Sequence, residues 1–352
     1  MASAIRRRYH RSQSRDRAAV RLQLRTRMST WLQLIPLPPL ALWLGALVLG
    51  LALLVKAADW FTSAADLLGR SFGLSPFVVG VTIMAVGTSL PELVSSVLAV
   101  IRGASEIVAG NVVGSNITNI FLIMGLIGVV AGRLRMRHEL INVDLPFLAG
   151  SAFLLAAILW DGGVGLGEGL LSLAGLALYL HYALRNQRIP EGQRDDRDAD
   201  GNRVGRLVPS LVVLASAALI WLGAEMTVSA VIELSDLLGI GREVIAASAV
   251  ALGTSLPEVM VSLAATRQGK GELAIGNVLG SNVFNAFAVI GVSALFGTLL
   301  VPASILGFAL PLMVIATLLA FFMVMEQELT LWEGWLLLLF YVYFLGALFE
   351  IM

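Results

Sequence analysis

Two glutamates stand at matched positions inside long apolar stretches of the chain. Glu92 ends the run Gly-Thr-Ser-Leu-Pro-Glu that begins at Gly87, and Glu258 ends the same run beginning at Gly253. An ionised side chain inside a bilayer costs ~2.5–3.5 kcal/mol on insertion scales, so such a residue marks a functional site by default. Because the acid occurs twice with the same neighbours, we interpret the pair as a cation site in preference to two structural glutamates.

Each glutamate has other oxygen groups beside it. Thr88 lies four residues before Glu92 and therefore on the same helix face, with Ser89 next to it. Pro91 has no amide hydrogen, which frees the carbonyl of Gly87 from its helical partner. Hydroxyl, carbonyl and carboxylate oxygens suit Ca²⁺ and Na⁺, whereas zinc and copper favour other ligands. The second copy repeats the set with Gly253, Thr254, Ser255 and Pro257.

A second polar motif follows each glutamate motif. Asn111, Ser115 and Asn119 are spaced i, i+4 and i+8 and form one helical stripe, which Asn277, Ser281 and Asn285 repeat. We expect the serines and the last asparagine of each stripe to be ligands. For four other amides, ligation and interhelical hydrogen bonding both stay open: Asn111, Asn116, Asn277 and Asn282. Glycines within the motifs would let helices approach closely: Gly110, Gly114, Gly276 and Gly280.

The two copies are related by one constant offset in residue number (254 − 88 = 166), without a gap from position 59 to position 131. A polar-rich match of this length indicates duplication. The chain is 58% hydrophobic and 14% charged, against about 25% charged residues in soluble domains. Its long apolar runs predict membrane helices, because a bilayer core of ~30 Å needs about 20 apolar residues. The predicted spans are 40–59, 76–101, 107–131, 143–160, 165–184, 207–231, 243–266, 273–296, 303–325 and 332–350.

These spans predict an all-α integral membrane protein of ten transmembrane helices. Five spans precede and five follow an Arg- and Asp-rich segment at 185–206. An odd number of spans per copy places the second copy upside down, which makes two inverted five-helix repeats, as in many secondary transporters. The expected domains are a first repeat at 40–184, a charged linker at 185–206 and a second repeat at 207–352. Residues 1–39 read as an Arg- and Pro-containing tail, which is either disordered or contains a start assigned too far upstream, with Met28 as the true start.

Basic residues predict the orientation in a cell membrane of prokaryotic type. The loops on the linker's side hold Lys56, Arg70, Arg133, Arg135, Arg137, Arg267 and Lys270, and the opposite loops hold only Arg102 and Arg242. Cytoplasmic loops carry the excess of Lys and Arg. The linker is therefore expected in the cytoplasm and both termini outside, although the Arg-rich tail argues against this placement.

The remaining residues point to few other chemistries. The chain has no cysteine, three scattered histidines and zero net charge. We find no phosphate-binding glycine loop and no nucleophile with its base, so we expect no enzyme activity, cofactor, nucleotide or nucleic-acid partner. The expected partners are the lipid bilayer and the transported ions, with the chain a monomer or weak homo-oligomer. Asp59 and Glu225 occupy equivalent positions at span ends, where a gating role and a structural interfacial role are both open.

The paired motifs resemble the two alpha repeats of the calcium/cation antiporter superfamily, most closely its prokaryotic sodium/calcium exchangers. The resemblance covers roughly residues 40–352 and implies ten membrane helices, four central ion subsites and alternating access by sliding of the first and sixth helices. It implies the metal ligands Thr88, Ser89, Glu92, Ser115, Asn119, Thr254, Ser255, Glu258, Ser281 and Asn285, with backbone carbonyls of Ala85 and Ala251. Some relatives carry Asp where this chain has Asn119 or Asn285, so this site has two carboxylates and not three.

The function expected from these residues is secondary antiport of Ca²⁺ against Na⁺ at a central oxygen-ligand site. Two carboxylates could equally hold two protons, so a Ca²⁺/H⁺ antiporter with the same site is an alternative. A cation channel lined by the two repeats is a further alternative, and a membrane enzyme or scaffold with the polar stripes as helix contacts is another. The missing third carboxylate weakens the case for K⁺ co-transport.

Overall fold

The described part of the chain is built from long helices. The computed structural model describes residues 38–101, 103, 105–136, 144–186, 206–238 and 242–348, and only the helical backbone of 242–254. The helices are α1 (Pro39–Ser71), α2 (Pro76–Ile101), α3 (Glu106–Ala131), α4 (Asp144–Leu159), α5 (Leu166–Asn186), α6 (Leu207–Leu238), α7 (Arg242–Arg267), α8 (Gly271–Ala294), α9 (Ile305–Met325) and α10 (Leu331–Leu348). Seven of them are long and apolar enough to cross a membrane. The predicted tail and linker lie almost wholly outside the described residues.

Helices α1 and α6 are longer than the spans 40–59 and 207–231 predicted for them. They contain 33 and 32 residues, or roughly 50 Å each at 1.5 Å per residue, against a bilayer core of ~30 Å. The span prediction for α1 ended at its first charges, but the helix continues because its second part packs inside the protein through Ala64, Ala65 and Leu68. Asp59 and Glu225 therefore lie within continuous helices.

The long helices α1 and α6 cross at a pair of glycines. A Cβ added at Gly50 would lie 2.7 Å from Thr227 Oγ1, and one added at Gly223 would lie 3.1 Å from the carbonyl oxygen of Gly50. Neither position has room for a side chain, so the two backbones touch. The close approach makes α1 and α6 a packed pair.

Helix ends follow local turn chemistry. Ser75 precedes α2, and its hydroxyl accepts a hydrogen bond from the Val78 amide at 3.3 Å, with Pro76 at the first helical position. Gly103 follows α2 and Gly269 follows α7, both with φ of +72°, which favours glycine. These two glycines are related by the offset of the repeats, so the ends of α2 and α7 use the same turn.

Two short antiparallel ribbons link loops of the all-helical fold. They pair β1 (Arg133–Arg135) with β4 (Glu328–Thr330), and β2 (Gly163–Val164) with β3 (Leu299–Leu300). Arg133 stands opposite Thr330, and Val164 stands opposite Leu299. Adding the repeat offset of 166 to Arg133 gives Leu299, and subtracting it from Thr330 gives Val164. The pair Arg133–Thr330 is therefore equivalent to the pair Leu299–Val164. Each ribbon thus joins one strand from each half of the chain in equivalent register.

The halves also interlock through their last helices. A Cβ at Gly334 of α10 would lie 2.8 Å from the carbonyl oxygen of Gly125 in α3. A Cβ at Gly291 of α8 would lie 2.9 Å from the carbonyl oxygen of Gly169 in α5. The last helix of each half therefore packs on the third helix of the other half. The main hydrophobic core draws on both halves.

Candidate functional site

The two Gly-Thr-Ser-Leu-Pro-Glu segments lie in α2 and α7, each with its proline inside the helix. Glu92 is 1% exposed and Glu258 is 2% exposed, although both are acids. Burying two carboxylates is costly unless partners compensate their charge. The protein interior around these residues is therefore the place to look for cation chemistry.

The hydroxyl of Ser89 joins the two segments. It donates a hydrogen bond to Glu258 Oε1 at 3.0 Å across the boundary between the halves. Because Ser89 lies three residues before Glu92 in the same helix, both face the same interior region. This hydrogen bond places the Glu258 carboxyl group beside the helix that carries Glu92. The fold thus brings the equivalent motifs of the two halves into one polar centre.

The second motifs of both halves reach the same interior. Ser115, Asn119, Ser281 and Asn285 are all buried, with exposures of 4%, 1%, 0% and 1%. The helices change from α to π winding at Asn119 and again at Asn285. A π-bulge widens the turn and occurs frequently at functional sites. Because the π-turn occurs at two equivalent residues, both asparagines depart in the same way from the regular α-helical spacing.

For four asparagines the sequence left open whether they bind ions or link helices. Three of them donate hydrogen bonds from their side-chain amides. Asn111 Nδ2 donates to Ser96 Oγ at 3.0 Å, and Asn277 Nδ2 donates to Ser262 Oγ at 2.9 Å. Asn116 Nδ2 lies 3.4 Å from the carbonyl oxygen of Asn282.

Sequence reasoning missed the two serines that hold these amides. Ser96 and Ser262 are buried and are themselves related by the offset of the repeats. This constant offset was the signal that could have found them. Their hydroxyls bind the amide nitrogens, which leaves the amide oxygens of Asn111 and Asn277 turned elsewhere. Asn277 Oδ1 lies 3.4 Å from the Thr88 hydroxyl oxygen.

Contacts across the centre also link the second motifs. Asn119 Nδ2 donates to Asn282 Oδ1 at 3.0 Å, which connects a residue of α3 to one of α8. Asn282 is thus an interhelical partner through both its backbone and its side chain. Gly280 allows α8 to approach α2, because a Cβ there would lie 2.5 Å from Val81 Cα. Gly276 does the same against the carbonyl oxygen of Phe77, also at 2.5 Å.

The other two motif glycines are less crowded. A Cβ at Gly110 would make an ordinary contact with Ile305 at 3.7 Å, and no atom of the described residues lies within 4 Å of one at Gly114. The prediction of close approach is thus confirmed for Gly276 and Gly280 only.

Several buried oxygens of the centre lack a hydrogen-bond partner among the described residues. They are both carboxylate oxygens of Glu92, Glu258 Oε2, Ser255 Oγ, Ser281 Oγ, Asn119 Oδ1 and Asn285 Oδ1. Buried polar atoms are nearly always paired in proteins, so a group of unpaired oxygens in one place is exceptional. These seven oxygens are of the ligand type that Ca²⁺ and Na⁺ require, and one nitrogen donor of the centre, Asn282 Nδ2, is also unpaired within the described part of the chain.

The structure gives less information about three of the predicted ligands. Ala85 is buried and directly follows a π-wound segment, Gly80–Met84. Its carbonyl oxygen lies 3.4 Å from the Thr88 hydroxyl oxygen. Ala251 and Thr254 lie in α7, but their side chains are outside the described part of the chain. In that part no group of three or more His, Cys, Asp or Glu residues could hold a metal, so any site here depends on neutral oxygens as well.

A model of the sodium/calcium exchanger protein family matches residues 42–185 and 209–349. The chain belongs to this family. The match includes both glutamate motifs and both asparagine motifs, and it leaves out residues 186–208.

This chain aligns with nearly the whole length of individual relatives. The sodium/calcium exchanger MaX1 of Methanosarcina acetivorans is 36% identical over 343 residues, with 87% of this chain and 98% of that protein covered. An uncharacterized membrane protein of Methanocaldococcus jannaschii, MJ0091, is 34% identical, with 88% and 99% covered. A structure of the sodium-calcium exchanger NCX_Mj, soaked with 10 mM Na⁺ and zero Ca²⁺, superposes with a TM-score of 0.77 at 31% identity, covering 88% and 99%.

Family membership decides the class of the molecule. The chain is a multi-pass cell-membrane transporter of the cation/Ca²⁺ exchange class and not an enzyme. Its all-helical membrane fold is that of a sodium/calcium exchanger. The prediction of the family from the doubled motifs is confirmed.

Proposed function

We propose that this exchanger moves Ca²⁺ in one direction and Na⁺ in the other by alternating access at the central cluster of buried oxygens. The proposed architecture is ten transmembrane helices in two inverted five-helix repeats, residues 40–184 and 207–352, joined by the linker at 185–206. The equivalent register of the two ribbons and the equivalent glycine turns support the repeats. The proposed ligands are the twelve residues named from the sequence.

The observation that carries this proposal is the set of unpaired oxygens around Glu92 and Glu258. Two carboxylates carry the charge that offsets one Ca²⁺. Their repulsion would be strong in a medium of low dielectric constant, so the site favours a cation load at all times. A site that is costly when bare disfavours return without cargo, which is the requirement for exchange.

The neutral oxygens support Na⁺ as the proposed counter-ion. Asn119 and Asn285 provide amide oxygens where an acid would add a third charge, and Ser281 and Ser255 provide hydroxyls. Na⁺ is bound well by such neutral oxygens, whereas protons need only the two carboxylates. The names of the relative MaX1 and of the NCX_Mj structure also point to Na⁺.

Uptake of ⁴⁵Ca²⁺ into proteoliposomes tests the proposal. Vesicles loaded with Na⁺ and diluted into Na⁺-free buffer should accumulate Ca²⁺, and vesicles loaded with choline should not. A pH gradient without Na⁺ should give no uptake. Uptake driven by the pH gradient alone would replace Na⁺ by H⁺, and Ca²⁺ flux independent of either gradient would indicate a channel.

A further inference from the structure

The end of α1 nearest the linker carries a buried acid outside the central cluster. Asp66 is 7% exposed and receives two cationic partners. Arg70 of the same helix lies 3.3 Å away, and Lys270 Nζ lies 2.9 Å from Asp66 Oδ2. Lys270 belongs to the turn between α7 and α8, in the other half of the chain. The Asp66–Lys270 ion pair therefore ties α1 to the helices that carry the second glutamate and the second asparagine motif.

The position of this ion pair along α1 relates it to the central cluster. Phe61 of α1 covers the first glutamate motif, because a Cβ at Gly87 would lie 2.6 Å from its ring. Asp66 is five residues further along, or about 7.5 Å towards the helix end. Arg206 marks that end as the linker side, since its guanidinium donates to the carbonyl oxygen of Ser71 at 3.1 Å. The ion pair thus lies between the cluster and the linker-side surface.

The ion pair is not duplicated at the equivalent positions of the other face. The offset of the repeats carries Asp66 onto Ile232 and Lys270 back onto Ala104, and these two residues cannot form an ion pair with each other. Asp66 is buried and Lys270 is partly exposed, so removing Lys270 leaves the buried carboxylate with less charge compensation. Such a contact between α1 and the α7–α8 turn resists separation of α1 from the core at one end of the helix.

We propose that Asp66 and Lys270 form a linker-side latch, which closes the path between α1 and the α7–α8 turn from that face to the oxygen cluster. The latch is a positioning pair and does not bind the transported ions. The role of the latch in transport rests on the proposed exchange function, whereas the closure of one face by the ion pair does not. That closure can be measured without transport.

The absence of cysteine in the chain gives a direct test. Thr62 lies one helical turn before Asp66, is fully buried and has no hydrogen-bond partner for its hydroxyl among the described residues, so Thr62→Cys is a mild change. Full-length Thr62→Cys in membrane vesicles of each orientation is treated with a membrane-impermeant maleimide. Labelling from the linker side should be slow. Adding Lys270→Met should speed it by about fivefold, because weakening the closed state by about 1 kcal/mol raises the open fraction by that factor.

Three further variants keep the test decisive. Asp66→Asn should act as Lys270→Met does, whereas Lys270→Arg keeps the charge and should keep labelling slow. Glu328→Gln breaks an ion pair in the neighbouring β1–β4 ribbon, which contacts Gly271 through Leu134, and should leave the Thr62→Cys rate unchanged. Labelling from the opposite face should not respond to Lys270→Met.

Two outcomes would overturn the latch. One is a linker-side rate that is the same in Lys270→Met, Asp66→Asn and the parent Thr62→Cys protein. The other is an equal increase in Glu328→Gln, which would mean general loosening of that face. Failure of Na⁺-driven Ca²⁺ uptake in the wild-type protein would contradict the exchange function, but it would not alter the labelling rates.

Discussion

At the scale of single residues, the centre depends on two acids surrounded by neutral oxygens. Glu92 has neither carboxylate oxygen paired among the described residues, whereas Glu258 accepts one hydrogen bond from Ser89. The two acids are equivalent in sequence but not in their contacts. A shared cation would bridge them, so both should be required although their surroundings differ.

We expect Glu92→Gln and Glu258→Gln each to abolish Ca²⁺ exchange, because an amide cannot supply the charge that offsets Ca²⁺ and no third carboxylate is available to replace it. The measurement is Na⁺-driven ⁴⁵Ca²⁺ uptake by each purified variant in proteoliposomes. Glu326→Gln, an exposed acid in the turn after α9, is the matched control and should exchange normally. Near wild-type uptake by either buried variant would contradict a shared site.

At the scale of elements, close helix approach brings the motifs together. Helix α8 is buried over most of its length, and its glycines lie against the backbone of α2. The approach lets Thr88 of α2 come within 3.4 Å of Asn277 of α8. The glycines therefore act on the site indirectly, by setting the distance between the helices that carry it.

Gly280→Ala should destabilise the protein by about 1–3 kcal/mol, because the added methyl overpacks the contact with Val81. The measurement is the Tm of the detergent-solubilised protein. Gly150→Ala is the control, since no described atom lies within 4 Å of a Cβ there and alanine favours the helix. If the Tm of Gly280→Ala equals that of the wild type, α2 and α8 are not in close contact.

The β1–β4 ribbon should respond to acid. Hydrogen bonds from Arg133, then from Arg135, hold the pKa of the Glu328 carboxyl below its ordinary value. A lowered pKa in the folded state means that the stabilisation is present above the unfolded pKa of about 4.3 and is lost as the pH falls through the folded value. The Met136 amide, which donates to the carbonyl oxygen of Gln327 at 2.8 Å, reports on the ribbon.

Hydrogen exchange at Met136 measures this effect. Its protection factor, corrected for intrinsic exchange, should fall as the solution is acidified below the unfolded pKa of Glu328. Glu328→Gln should show lower protection at neutral pH and little further change with acid. Equal protection in both proteins at neutral pH would mean that the ion pairs do not hold the ribbon.

At the scale of the whole molecule, the two halves form one unit. Both ribbons and both glycine crossings, Gly125 with Gly334 and Gly169 with Gly291, join one half to the other. The oxygen cluster likewise draws on both halves through the hydrogen bond from Ser89 to Glu258. Neither half contains a complete centre.

The orientation of this unit is open to a direct measurement. We expect the linker to lie in the cytoplasm, because the basic loop residues gather on its side of the membrane. A cysteine at Gln193 in the linker should react with an impermeant maleimide only in inside-out vesicles. A cysteine at Asp161, beside the β2–β3 ribbon, should react only in right-side-out vesicles. The reverse pattern would invert the proposed topology.

The sequence by itself determined the family and the helical membrane class, and it named the residues of the proposed site. It did so because an apolar span and a buried acid are each rare without a reason, and because the same polar motif occurs twice at one offset. Glu92, Glu258, Asn119 and Asn285 could be named without any coordinates. The extension of α1 to Ser71 could not be predicted, because packing inside the protein stabilises this part of the helix although its sequence is less apolar.

Only the tertiary structure decided how these residues meet. The hydrogen bond from Ser89 to Glu258, the amide contacts of Ser96 and Ser262, and the π-turns at Asn119 and Asn285 depend on distances between helices, which local sequence patterns do not encode. The crossed pairing of the ribbons and the ion pair between Asp66 and Lys270 are likewise contacts between distant segments. Their partners are chosen by packing, because each is formed only once the helices have assembled.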